Sequence, residues 1–216
     1  MKITAFTIAY NGYGVFIPRW LKSVQSQTHP AHEIIVVLGH NHGLQEIPSG
    51  VKLRCHDQQA TMGFLRNLAV DAATGDYMFY FSADDILLGN ALQEISNVDA
   101  DLIALRYYHE NDVRVTPEII AEQLDEWETH YIAACGYVAF KKGLRYELTN
   151  WPNYPLLFQA HTKGYTFGRT KDPGAVYIQR PECHGQDIGN NEQGRVAIME
   201  SLLSHGLITS RRRAIR

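Results

Sequence analysis

Residues 33–38 read EIIVVL, a run in which only the first residue is polar. A strand with one wet face alternates apolar and polar side chains. A run that is apolar on both parities needs cover on both faces, as the strands of parallel sheets have. The sequence before it supplies that cover. Residues 2–9, KITAFTIA, form a β-branched and aromatic run that ends at the turn cluster Asn11-Gly12-Tyr13-Gly14. FIPRWLKSVQSQ follows, with Pro18 suited to a first helical turn and Phe16, Trp20, Leu21 and Val24 at helical spacing. Strand, helix, strand in this order implies a right-handed crossover between parallel strands.

The pattern repeats downstream. Residues 51–55 read as a short strand, Gly63–Ala73 as an amphipathic helix ended by Gly75-Asp76, Tyr77–Phe81 as a strong strand, Asn90–Ser96 as a short helix and Asp101–Arg106 as a further strand. Beyond Tyr107 the regularity weakens. Helices are expected over Pro117–Tyr131, Tyr154–Lys163 and Glu192–His205, and strands over Tyr137–Phe140 and Ala175–Gln179. Alternating strands and helices predict an α/β sandwich. With no linker and no internal repeat, 216 residues suit one domain, 1–216, with a nucleotide-binding half over 1–106 and an acceptor-side half over 107–216.

The bulk numbers narrow the function classes. A net charge of -3 argues against whole-surface affinity for nucleic acid, although Arg211, Arg212, Arg213 and Arg216 make a local basic tail. Cys55, Cys135 and Cys183 are too few and too scattered for a disulfide framework. No stretch is long and apolar enough to span a bilayer, and the chain opens directly on a strand pattern rather than on a signal peptide. Together these imply a cytoplasmic protein. Cys183-His184 lacks companions at the spacing that a structural zinc site needs.

The chemistry concentrates at YMFYFSADDILL, residues 77–88. A buried strand runs into Ser82-Ala83-Asp84-Asp85. Two adjacent carboxylates at a strand's C-terminal end are costly without partners, and that end is where ligands bind in open α/β sheets. A hard divalent cation, Mg²⁺ or Mn²⁺, shared with a diphosphate would satisfy them. The plainer alternative is that an Asp caps a following helix.

These residues resemble the GT-A glycosyltransferases, and within them the large inverting family 2. Three segments carry the likeness: Phe6–Val37, with its Tyr-Asn turn and its Ser-Val-x-x-Gln-Thr helix end; Gly63–Leu87, with Gly-x-x-x-Arg-Asn, Gly-Asp and an Asp-x-Asp-like strand end; and, more loosely, Lys163–His184. The resemblance implies a three-layer α/β/α sandwich with a mostly parallel central sheet and a Rossmann-like N-terminal half. It implies transfer of a sugar from a nucleoside-diphosphate sugar to an acceptor hydroxyl, assisted by Mn²⁺ or Mg²⁺. Carried over by position, Ala9, Tyr10 and Asn11 would lie against the base, and Arg66 and Asn67 near the nucleotide. Ser82, standing where the family has its first Asp, and Ala83 would line the donor site. Asp84 would ligate the metal, and His184 would complete the metal shell or approach the diphosphate.

The sequence departs from that pattern at two places. The family's uracil-reading Asp after the second strand is missing from Leu38-Gly39-His40, which leaves His40, Asn41, Asp57 or a different donor base as alternatives. Pro152-Asn153 stands where the family places Glu and its catalytic Asp, and an amide cannot accept a proton. Glu147, Asp187 and Asp85 are the remaining candidate bases. Trp127, Tyr131, Tyr137, Trp151 and Tyr154 supply aromatic faces on the acceptor side, for stacking or simply for the core. The acceptor could be a glycan, a lipid-linked group or, as in some viral enzymes, a nucleic-acid base. A catalytically inactive binding module is the non-enzymatic alternative. A nucleotidyltransferase fits poorly, because Tyr10-Asn11-Gly12-Tyr13-Gly14 is not its Gly-rich, basic triphosphate loop.

Overall fold

A computed structural model describes residues 1–46, 48–109, 137–148 and 152–178, together with Glu200. The strands are β1 (Ile3–Ala9), β2 (Glu33–Leu38), β3 (Lys52–Cys55), β4 (Tyr77–Tyr80), β5 (Ile86–Leu87), β6 (Leu102–Ala104), β7 (Tyr107–His109), β8 (Val138–Lys141), β9 (Phe167–Arg169) and β10 (Ala175–Tyr177). The helices are α1 (Ile17–Gln25), α2 (Met62–Ala72), α3 (Ala91–Ser96) and α4 (Asn153–Thr162). The expected helices over Pro117–Tyr131 and Glu192–His205 lie outside the described residues.

Seven strands form the central sheet in the order β3-β2-β1-β4-β8-β6-β9. β3, β2, β1 and β4 run parallel, as does the β6–β9 pair, while β8 is antiparallel to both β4 and β6. β1 is buried along its whole length, which explains its lack of alternation. The chain steps outward from β1 to β2 and β3, then returns to the other side of β1 as β4. Right-handed crossovers in opposite directions put α1 and α2 on opposite faces. The reversal between β1 and β4 opens a crevice at their C-terminal ends.

Packing fastens those ends. Trp20 of α1 is fully buried and its indole Nε1 donates to the Phe81 carbonyl at 3.1 Å. Phe6, Phe79, Phe81 and Phe140 are also fully buried in the core. A second sheet, in the order β5-β10-β7, closes over the acidic turn. Among the described residues no helix is long and apolar enough to cross a membrane.

Two local expectations are corrected. The Asp84-Asp85 turn leads into β5, so neither Asp caps a helix. Gly75 is not a left-handed helix terminator: α2 ends at Ala72, and Ala73 is already extended at φ -73°, ψ 141°. Gly75 is there for close approach, since a Cβ would lie 2.5 Å from Thr4 Oγ1 and 2.9 Å from the Lys2 carbonyl.

Candidate active site

Two turns at the crevice carry the candidate residues. The first follows β1. Ala9 ends the strand, fully buried. Asn11 and Gly12 then adopt positive φ, 46° and 87°, which Asn and Gly tolerate best. The backbone of this turn is laced to the loop after β2: Asn11 N donates to His40 O at 3.1 Å, Gly12 N to Asn41 O at 2.7 Å and Gly14 N to His42 O at 2.6 Å. Gly14 is where the two loops touch, and a Cβ there would lie 2.3 Å from Leu44 N. Tyr10 stacks on Tyr13 with ring centroids 5.6 Å apart. Burial pushes the Tyr10 phenol well above its usual range. Tyr80, Tyr13 and Asp84 push the same way, and Arg66 opposes them. Tyr10 is therefore a protonated donor, set among the charges of the site.

The second turn follows β4. Phe81 N donates to Phe6 O at 3.0 Å, which holds the start of the turn beside β1. Asp84 is buried, and Ser82 Oγ donates to its Oδ1 at 2.6 Å. Arg19, reaching across from α1, donates from Nη2 to the Asp84 carbonyl. Asp85 is buried too, but its oxygens tie the two sheets: Oδ2 accepts from the hydroxyl of Tyr137, just before β8, and Oδ1 from the N–H of Ile178, just after β10, at 2.9 Å. The adjacent carboxylates are thus differently employed. Ser82 and Asp84 form a pair of hard oxygen donors, and a cation that takes one or two carboxylates plus phosphate oxygens suits such a pair. Among the described residues no group of three or more His, Cys, Asp or Glu could hold a metal ion.

Arg66 and Asn67 come from α2, whose N-terminus is capped by Thr61 Oγ1 accepting from Phe64 N at 3.3 Å. Arg66 is buried, with its guanidinium carbon 3.6 Å from the Tyr80 ring centroid and 5.0 Å from that of Tyr146. Its Nη1 donates to Asn153 Oδ1 at the start of α4. Asn67 faces a different task. It exchanges two hydrogen bonds with the Tyr146 backbone, at 2.8 and 2.9 Å, imitating a strand partner and pinning the residue before Glu147. Glu147 is half-buried beside this clamp.

On the side expected to meet the base, Gly39 packs tightly. A Cβ there would lie 3.1 Å from both Leu65 Cδ1 and Tyr10 Cβ. His40 is exposed and its Nδ1 lies 2.9 Å from the Asp57 carbonyl. The His56 and Phe64 rings are 4.7 Å apart. His184, Asp187, Cys183, Trp127, Tyr131 and Trp151 lie outside the described residues. The structure thus brings together Tyr10, Arg66, Ser82 and Asp84 and turns Asp85 and Asn67 toward structural partners. It also adds Arg19 and Tyr80, which sequence reasoning had not assigned to this site, and sets Asn153, expected at the position of the family's catalytic Asp, against Arg66. For Arg19 a signal was available: it lies on α1 one residue before the buried Trp20, near the same strand end.

Solved structures share this architecture. S. aureus TarS 1-349 in complex with UDP-GlcNAc superposes with a TM-score of 0.67 at 14% identity, covering 94% of this chain and 67% of that one. The Pyrobaculum calidifontis mannosyltransferase PcManGT, in complex with GDP-Man and Mn²⁺, gives 0.64 at 15% identity, with 97% and 65% covered. Glucosyl-3-phosphoglycerate synthase from Mycobacterium tuberculosis, in complex with Mn²⁺, UDP and phosphoglyceric acid, gives 0.66 at 14% identity, with 97% and 80% covered. The chain spans about two thirds of the length of the first two. At such identities the likeness carries the fold alone. No curated protein matches in sequence. Residues 4–112, just over half of the chain, match the family described as Glycosyl transferase family 2. β1 from Thr4 on, β2, β4 and the acidic turn fall within that match, and the chain is a GT-A-fold member of glycosyl transferase family 2.

Proposed function

We propose that the protein transfers a sugar from a nucleoside-diphosphate sugar to an acceptor hydroxyl, with inversion and with help from Mn²⁺ or Mg²⁺. One observation carries the reading: the buried Asp84 carboxylate stands with Ser82 Oγ at the end of β4, in the crevice where strand order reverses, facing the Tyr10 turn. Asp84 and Ser82 would hold the cation, which when bound neutralises charge on the departing diphosphate. Arg66 would add a second positive charge to the same end, and Tyr10 and Asn11 would line the donor. His184 is retained as a candidate for the metal shell. Glu147 and Asp187 remain the candidate bases. Asp85 is assigned a structural part, since Tyr137 and Ile178 engage both of its oxygens.

The donors in the related structures, UDP-GlcNAc and GDP-Man, span two bases. His40, Asn41 or Asp57 would read the base on this side. The acceptor is a glycan, a lipid-linked group or a nucleic-acid base, and the setting proposed is cytoplasmic. The test is a thermal-shift series of nucleoside diphosphates and nucleotide sugars with and without Mn²⁺, followed by NMR of the product anomer. A metal-dependent shift for one base and an inverted product are expected. No shift with any donor would sink the proposal.

A second reading has its own observation. Asn153 stands opposite Arg66 with an amide, which cannot take a proton. A binding module that holds a nucleotide sugar without transferring it would show the same shifts and no turnover.

A further inference from the structure

Among the described residues Arg66 is a buried cation that pairs with no carboxylate. Its residue exposure is 4%. The pairs Lys52–Glu33, Lys141–Asp101 and Arg145–Asp71 join described residues, and none involves Arg66. Its neighbours are the Tyr80 and Tyr146 rings and the Asn153 amide, and its Nε is sealed from solvent with no hydrogen-bond partner. Asp84 acts on the same Tyr10 hydroxyl as Arg66 does, yet makes no ion pair with it. Cation–π contact offsets part of the desolvation of a guanidinium, but a buried charge without a counter-charge stays costly. Asn153 opens α4, and Pro152 supplies no side-chain cap and the first turn no acidic residue, so the positive end of that helix adds to the same potential.

A charge left open in this way is a receptor for an anion. We infer that Asn153, by offering Arg66 an acceptor without a negative charge, keeps the guanidinium available to the diphosphate of the donor, so that the site binds diphosphate without metal. The identity of the ligand rests on the nucleotide-sugar reading above, whereas the anion site rests only on Arg66 and Asn153. Asn153 is a positioning residue in this account. It holds Nη1 through a hydrogen bond and sets affinity by the charge that it lacks.

Inorganic pyrophosphate, titrated calorimetrically in EDTA, tests the anion site without a base or a metal. Wild-type protein is expected to bind it. Asn153→Asp keeps the hydrogen-bond acceptor and adds a carboxylate, and should weaken binding at least about tenfold while raising the ligand-free Tm, because the new pair neutralises Arg66. Asn153→Ala removes the hydrogen bond but adds no charge, and should stay within about threefold of wild type. Arg66→Met should abolish binding, and serves if Asn153→Asp fails to fold. The inference is overturned if wild type binds no pyrophosphate in EDTA, if Asn153→Asp binds as wild type does, if the Ala and Asp variants weaken equally, or if Arg66→Met still binds. Parallel titrations of UDP and GDP with Mn²⁺ separate the two proposals. Nucleotide binding with Mn²⁺ but no pyrophosphate binding in EDTA removes only this inference. Pyrophosphate binding without preference for any nucleotide removes the donor reading and leaves the anion site standing.

Discussion

Asp84 and Asp85 are neighbours in sequence with nearly equal burial, and hydrogen-bond partners alone set them apart. Opposite mutational signatures follow. Asp84→Asn retains an oxygen for Ser82 Oγ but loses the charge that a divalent cation needs. The variant should fold normally, lose the Mn²⁺-dependent part of the donor shift and fall in turnover by about 10²–10³, the scale of removing one preorganised electrostatic contact at a leaving group. Asp85→Ala removes the carboxylate oxygens that the Tyr137 hydroxyl and Ile178 N–H engage. Losing two hydrogen bonds to one carboxylate costs about 3 kcal/mol, a fall of roughly 6–12 °C in Tm for a domain of this size. Differential scanning calorimetry and initial rates separate the two. If Asp85→Ala kept its Tm and Asp84→Asn lost several degrees, the assignment of roles would be reversed.

At the scale of elements, the start of β2 is a junction. Glu33 accepts from Thr4 Oγ1 on β1 at 2.7 Å, from Lys52 Nζ on β3 at 3.0 Å, and from the Thr74 and Gly75 backbone before β4. Burial alone would push its carboxyl up, but the Thr74, Thr4 and Lys52 donors outweigh it and hold the pKa down at about 2 from its usual 4.5. A depressed carboxylate stabilises the fold above its unfolded pKa and loses that contribution as pH falls through the folded one. The window is therefore pH 5 down to about 2, and with solvent screening the loss is on the order of 2 kcal/mol. Urea midpoints of wild type should drop across that window more steeply than those of Glu33→Gln, and parallel slopes would refute the junction. Gly14 governs a second joint. Gly14→Ala forces the Tyr10–Phe16 turn away from Leu44, and should cost about 1–3 kcal/mol by overpacking while weakening donor binding in the same titrations.

The same scale explains what the sequence discloses. β1, α1, β2, α2 and β4 are legible because each writes its period into adjacent residues, as EIIVVL does. β5, β7 and β9 are two or three residues long, too short to show any period, and they exist because distant strands offer them partners. The site divides in the same way. The setting of Asp84 is local, a strand end followed by acid. The task of Asp85 is set by partners 52 and 93 positions away, and the neighbour of Arg66 by one 87 positions away, so no spacing rule finds them. Gly75 misleads for a related reason: a helix-stop glycine and a close-approach glycine are spelled identically.

Across the whole molecule, one strand from late in the chain sits inside the sheet that earlier strands build, and that decides how the protein folds. β8 comes from beyond residue 106 yet lies between β4 and β6, pairing Met78 with Phe140 on one side and Leu102 with Phe140 on the other. A chain stopped after Arg106 would lose that strand and the fully buried Phe140, and would leave β4 and β6 with open edges prone to foreign pairing. It would also lose Tyr146 and Asn153, two of the groups around Arg66. We therefore predict that 1–216 unfolds in one cooperative transition, with far-UV and near-UV circular dichroism giving coincident urea midpoints, and that residues 1–106 alone give no sigmoidal transition. Separated midpoints in the full chain, or a cooperatively folded 1–106 fragment, would show instead that the halves are independent units and that β8 is an addition to a sheet already complete.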